Sequence, residues 1–198
     1  MNALVTVASD VSDGACTSLT KMHEGALSKP FYPSLPITDN DREFIARIPF
    51  PVFGPPDLMI ASEVVMMDFI QTEAQQVNTS AVLAWSSSKA SSIGVPYLMY
   101  EEVQGTLLSA LLDKENFTDQ NLADIVMQCM KQQAQTSGRV FSQIGSMFYM
   151  DDISADLQAH PLYDTSITLA MPNSDRFHIG PSLRPEFYRN GRSKLDID

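Results

Sequence analysis

The sequence predicts an α+β fold, and three observations predict it. Residues 44–50 alternate apolar and polar side chains as a half-buried strand does, and residues 58–76 place apolar side chains at helical spacing. Short apolar runs at 82–85 and 97–103 then precede another helical stretch beginning near Thr118. With 198 residues, 44% hydrophobic and 19% charged, the chain has a globular composition and enough length for one substantial core with a partly separate second layer.

Residues 1–15 read as an N-terminal tail. They lack the basic region and long apolar stretch of a secretory leader, and they carry Asp10 and Asp13 but no arginine, unlike a mitochondrial transit peptide. From Cys16 to Ile48 the pattern gives two or three strands, with a turn at 22–29 and a Pro/Asn/Asp-rich connection at 33–41. Phe44, Ala46, Ile48 and Phe50 share one sheet face, which leaves Ile45 and Arg47 on the other. Pro49, Pro51, Pro55 and Pro56 forbid a helix and mark an extended loop with Gly54 at its tip. Asp57 then stands as the N-cap of the helix over 58–76.

Helical spacing sets Met59, Ile60, Met66, Met67 and Ile70 around Glu63. A carboxylate on an apolar face is costly to desolvate unless a cation or donors meet it, and Arg47 is the natural partner. The methionines Met59, Met66 and Met67 read as core packing. Beyond the helix, the strand over 82–85 leads through Ser86, Ser87 and Ser88 to Gly94, and the strand over 97–103 carries Glu101 and Glu102. Trp85 and Tyr97 read as sheet-core anchors. After Gly105 comes a short helix at 107–112, then a helix capped by Thr118 in which Leu122, Ile125, Val126, Cys129 and Met130 form an amphipathic stripe. Residues 140–149 mix strand and turn, and the remainder is loop-rich with short elements at 176–179 and 183–188.

A net charge of −11 argues against electrostatic binding of nucleic acid or of an anionic membrane surface, although a pocket can be locally positive. No apolar run approaches the length of a membrane span. Cys16 and Cys129 are the only cysteines, far apart, and read as two reduced, packed thiols. His23, His160 and His178 lack metal-ligand spacing and read as loop residues. Asp151, Asp152 and Asp156 read as a solvated acidic loop, and Asp196 with Asp198 as a decoy for a metal-binding pair.

A basic strand residue facing a helical glutamate is how kinase-type folds hold nucleotide phosphates, so Arg47 and Glu63 point to a phosphate site. The other reading is a structural ion pair docking a helix on a sheet. No His-x-Asp followed at kinase spacing by an asparagine occurs, nor a later Asp-Phe-Gly-like metal site. The sequence therefore speaks to nucleotide binding and hardly to chemistry.

Several stretches resemble fungal aminoglycoside-phosphotransferase-like proteins, in the branch named for altered inheritance of mitochondria. They include Ile45-Ala46-Arg47-Ile48-Pro49, Ala61-Ser62-Glu63-Val64, Val82-Leu83-Ala84-Trp85 and Tyr97-Leu98-Met99-Tyr100-Glu101-Glu102-Val103. Phe141 to Tyr149, Leu157 to Tyr163 and Arg176 to Pro181 continue the likeness, which runs in order from about Cys16 to Asp198. No single motif is decisive, but the ordered set is fairly specific. The resemblance implies a protein-kinase-like N-terminal lobe over 16–105, a five-stranded antiparallel sheet with one packed helix. Linker helices and an insert over 106–198 would begin a C-terminal lobe whose catalytic part is missing.

Carried across by position, the resemblance implies that Gly25, Ser28 and Lys29 belong to the turn over the phosphates. It makes Arg47 the phosphate-contacting position, Glu63 its helix partner, and Glu101, Glu102 and Val103 the hinge whose backbone meets the adenine. Arginine stands where kinases use lysine, which keeps the charge and adds a planar donor fork. No residue is assigned as catalytic or as a metal ligand. ATP with Mg2+, a small-molecule hydroxyl acceptor and a mitochondrial location are expectations of the resemblance; the sequence alone points to an intracellular soluble protein. The chain is expected to bind nucleotide without catalysing transfer by itself. The alternative is a non-catalytic remnant that acts through protein contacts or self-association, with Arg47–Glu63 purely structural.

Overall fold

The computed structural model describes residues 2–13, 16–22, 28–34, 44–51, 54–73, 77–112, 117–137, 139–154, 157, 160–164, 166 and 174–188. Strands β1 (Ser18–Lys21), β2 (Ser28–Ser34), β3 (Phe44–Pro49), β4 (Val82–Ser86) and β5 (Tyr97–Glu101) hydrogen-bond in the order β1-β2-β3-β5-β4, and every neighbouring pair is antiparallel. Strands β6 (Ser146–Tyr149), β7 (His160–Pro161) and β8 (Phe177–Gly180) make a second antiparallel sheet in the order β6-β8-β7. The architecture is α+β, as the sequence predicts. It differs from the expected single sheet with one packed helix, because there are two sheets and the first carries a helix on each face.

The first sheet is two-faced because its strands alternate. Phe44 and Ala46 of β3 and Tyr97 and Met99 of β5 are buried together with Leu4, Ala8, Cys16 and Leu19. Leu4 and Ala8 belong to helix α1 (Asn2–Val11), which occupies most of the segment expected to be a tail. Residues four apart fall on one helical face, and Val5, Val7 and Val11 pack at its margin. The Ser12 hydroxyl donates to the Ala8 carbonyl at 2.8 Å and accepts the Cys16 N–H at 3.0 Å, which closes the helix end. Asp13 follows at φ 52°, a left-handed position that a short polar side chain tolerates.

The other face carries α2 (Pro56–Glu73). This helix has two buried stripes. Ile60 and Val64 pack with Leu98 of β5, whereas Val65 and Phe69 pack with Met147, Leu162, Tyr163, Phe177 and Ile179 of the second-sheet region. Ala61 meets Phe148 and Ile153 between them. A helix held between two sheets is apolar around much of its circumference. Met66 falls on the outer side and is 42% exposed, which corrects its expected place in the core. The helix begins at Pro56, a residue suited to the first turn because its missing N–H has no intrahelical partner there. Asp57 therefore lies inside the first turn rather than at the cap.

The second sheet requires glycine at a close approach. A Cβ on Gly145 would run into the Gly180 carbonyl oxygen and the Ile179 side chain, and backbone cannot yield cheaply. Gly145→Ala is expected to destabilise the fold by about 1–3 kcal/mol, the range for overpacking. Urea unfolding monitored by circular dichroism measures it, and an unchanged midpoint would refute the close approach.

Helices α3 (Leu108–Leu112) and α4 (Asp119–Ser137) follow β5. The Thr118 hydroxyl oxygen accepts the Asn121 N–H at 3.3 Å, while the Asn121 side chain accepts the Thr118 N–H at 2.9 Å, a reciprocal cap. The apolar stripe of α4 has the expected spacing but is exposed, with Leu122, Val126 and Met130 at 42%, 49% and 60%. Other differences are small. β5 ends at Glu101, β2 runs through Pro33, and His160 and His178 sit in β7 and β8 rather than in loops. Both cysteines are free thiols, but only Cys16 is packed and Cys129 is exposed. Among the described residues no helix is long and apolar enough to cross a membrane, and no group of three or more His, Cys, Asp or Glu side chains is placed to hold a metal.

Candidate functional site

Arg47 stands opposite Leu98 in the β3–β5 register, on the sheet face that α2 covers. Glu63 lies one turn from Ile60 and Met67, which pack on that same face. The guanidinium Nη2 and the Glu63 Oε2 form an ion pair linking sheet to helix, with the side chains 21% and 35% exposed. Burial lowers the proton affinity of Arg47 from its usual value, and the neighbouring Tyr100 opposes that shift. An arginine stays charged under either influence. Its Nε is buried and has no partner among the described residues. The pair is thus a desolvated cation with one donor group left over.

Glu101 pairs with Phe44 at the far end of β3, and its N–H donates to the Ala81 carbonyl at 2.9 Å. Three residue steps along β5 take it from the Arg47–Leu98 pair, a span of about 10 Å at ~3.3 Å per residue. Glu102 follows the strand end. One of its carboxylate oxygens is buried without a partner among the described residues, and burial raises its pKa above the usual carboxylate value. Val103 beyond it is exposed. Ser28 and Lys29 open β2, in register with Pro49 and Ile48. Gly25 lies outside the described residues, as do His23, Asp156, Asp196 and Asp198.

Two polar networks on α2 were not legible in the sequence. In the first, the Tyr149 hydroxyl and the Arg176 Nη2, the latter at 2.6 Å, both donate to Asp68 Oδ2. The Arg176 guanidinium also lies over the Tyr149 and Phe177 rings, at 5.9 and 5.3 Å. Burial first, and then Asp68, push the Tyr149 hydroxyl well above the ordinary tyrosine range. In the second, Arg139 Nη1 donates to Glu73 Oε2 at 3.1 Å and to the Tyr163 hydroxyl at 2.8 Å, while Nη2 reaches the Glu73 carbonyl. Burial lowers the Arg139 proton affinity, but these bonds outweigh it and leave the guanidinium held above its usual value. The partners are 108 and 66 residues apart in sequence, so no local spacing announces them.

Asp152 corrects the solvated-loop reading. It ends a short 3-10 turn over Met150–Asp152 and is half-buried, with its carboxyl raised by burial and secondarily by Asp151.

No family model matches the chain. Over 183 residues it is 30% identical to the subtelomeric hrmA-associated cluster protein of Aspergillus fumigatus, a match covering 92% of this chain and 32% of that protein. It is 27% identical over 179 residues to altered inheritance of mitochondria protein 9, mitochondrial, of Clavispora lusitaniae, covering 87% of this chain and 28% of that one. For the protein of the same name in Candida dubliniensis the values are 29% over 188 residues, 90% and 28%. The chain therefore spans about a third of the length of the curated relatives it matches.

Proposed function

We propose that this chain binds ATP with Mg2+, as the nucleotide-binding lobe of an aminoglycoside-phosphotransferase-like protein with a protein-kinase-like fold. The observation that carries the reading is the Arg47–Glu63 pair, a cation on a central strand fixed by a carboxylate on the packed helix. A preorganised, partly desolvated guanidinium with a donor to spare is suited to phosphate oxygens. The antiparallel order β1-β2-β3-β5-β4 with α2 on one face supports the same reading. So does the distance from Arg47, paired with Leu98, to the end of β5 at Glu101, which suits a nucleotide with phosphates at one end and base at the other. Gly25, Ser28 and Lys29 would cover the phosphates, and the backbone of Glu101, Glu102 and Val103 would meet the adenine.

In this reading Mg2+ arrives with the nucleotide, and the chain contributes positioning and positive charge rather than the chemical step. Transfer to a small-molecule hydroxyl would belong to a longer protein of this kind. The mitochondrial naming of relatives supports a mitochondrial location for this chain as well.

Thermal unfolding against Mg-ATP tests the proposal. Ligand at ten times Kd adds about 1.4 kcal/mol, a rise of a few degrees in Tm. Arg47→Ala is expected to weaken binding by about tenfold or more, the worth of a hydrogen bond to a charged group. No shift at millimolar nucleotide, in a sample shown to be folded, would overturn the reading. The exposed apolar side chains Val103, Leu107 and Met130 favour the second reading, a non-catalytic unit acting through protein contacts. Self-association in sedimentation velocity without any nucleotide response would select it.

A further inference from the structure

Beside α2 lies a cleft of about 360 Å3 bounded by α2, β4 and β6. We propose that this cleft binds a small organic cation, an ammonium or guanidinium carried on an apolar body. The proposal is independent of the nucleotide reading and uses different residues.

The chemistry of the walls sets the ligand class. Three polar side chains, Asp68, Gln71 and Tyr149, line the cleft. Most of their hydrogen-bond donors are already engaged within the protein, with one Gln71 N–H left over. The Tyr149 hydroxyl gives its proton to Asp68 Oδ2, and Gln71 Nε2 donates to the Ser80 carbonyl at 3.0 Å. What remains is three acceptors against that one donor: the Tyr149 hydroxyl oxygen, the Gln71 carbonyl oxygen, and Asp68 Oδ1, which has no partner among the described residues. A ligand that satisfies them must bring donors, and a cationic donor gains most against a carboxylate. Arg176 neutralises the Oδ2 side of Asp68, but its side chain is 45% exposed, so its repulsion is screened, while the chain as a whole carries −11.

The apolar part of the cleft comes from a defect in β4. Its register against β5 shifts between Val82 and Ala84. An extra residue at that point re-phases the strand, so Val82 and Trp85, which regular alternation would put on opposite faces, both pack against the cluster of Ile60, Val64 and Leu98 under α2. An indole beside an acceptor cluster offers a face to a cation and a wall to its hydrocarbon. The cleft volume falls in the ordinary range for small-ligand sites, about 300–1,000 Å3.

Trp85 is the only tryptophan in the chain, so its fluorescence reports on this cleft alone. The full chain is titrated at low ionic strength with phenethylamine, a protonated, non-indole probe at neutral pH. N-acetylphenethylamine serves as the neutral control and 3-phenylpropionate as the anionic one. A saturable change in emission is expected with the amine, about tenfold weaker with the acetylated control, the worth of a hydrogen bond to a charged group, and absent with the acid. Asp68→Asn should weaken the amine by a similar factor. Because Asp68 also holds Arg176 and Tyr149, a second variant is needed: Val82→Phe fills the cleft without touching those groups, and should abolish the response while circular dichroism stays native. Equal responses to amine and acetylated control, no saturable change on the folded wild type, or undiminished binding by folded Val82→Phe would each overturn the proposal.

Discussion

Phe69→Ala is expected to cost about 3–5 kcal/mol of unfolding free energy, the range for removing a buried aromatic side chain. Phe69 is 2% exposed and is the point where α2 meets the second sheet region. It packs edge-on against Phe177 with ring centroids 5.5 Å apart and lies 6.3 Å from Phe141, while the Arg139 guanidinium sits over its face at 5.2 Å. Truncation removes the transfer energy of the ring, leaves a cavity lined by other rings, and strips one contact from Arg139. The rest of the Arg139 network would persist, because Glu73 and Tyr163 hold it independently. Phe69→Leu should cost much less, since most of the volume remains. Urea unfolding gives the free energies, and hydrogen exchange should show β6 and β8 opening before β3 and β5. A loss below about 0.5 kcal/mol, the ordinary size for a surface change, would mean that the two sheets do not depend on this helix face.

The parts of this molecule that could be read from sequence are those whose signal is local. The alternation in β3 assigns Phe44 and Ala46 to one core and Arg47 to the other side, and the structure agrees. Glu63 on an apolar helix asks for a cation, and the nearest strand supplies one. What escaped detection needed contacts distant in sequence. The short elements at 140–149 and 176–179 are expected, but not the two-residue β7 nor their joining into one sheet, which is held because Met147, Phe177 and Ile179 pack on Val65 and Phe69. The same contact explains the misplaced methionine. With two sheets to meet, α2 buries two stripes, and Met66 takes what is left. α1 covers most of the expected tail, and Leu4 and Ala8 need only an apolar sheet face to pack against. The phase shift in β4 is similarly invisible in a run of small and apolar residues.

The Arg47–Glu63 pair should distinguish its two readings by the order in which variants fail. Breaking a fully buried pair from one side costs about 3–5 kcal/mol, and exposed pairs are worth about 1 or less. With side chains 21% and 35% exposed, this pair lies between. Glu63→Ala strands the more buried partner, a guanidinium whose Nε already lacks one, and is expected to cost about 1–3 kcal/mol. Arg47→Met keeps the apolar stem packed and leaves only Glu63, which can still hydrate, so it should cost less, about 1 kcal/mol. The double variant should fall short of the sum by about 1 kcal/mol, the coupling expected of residues in contact. Urea unfolding of the four proteins measures the cycle, and additivity would show the pair to be energetically idle. Nucleotide binding should rank the same variants in the opposite order. Arg47→Met removes the charge that meets phosphate, whereas Glu63→Ala keeps the cation and loses only its orientation. A purely structural pair would make Mg-ATP binding follow stability, with Glu63→Ala the worse of the two. Reversal of the ranks between the two measurements is therefore the result that a phosphate role requires and a docking role cannot produce.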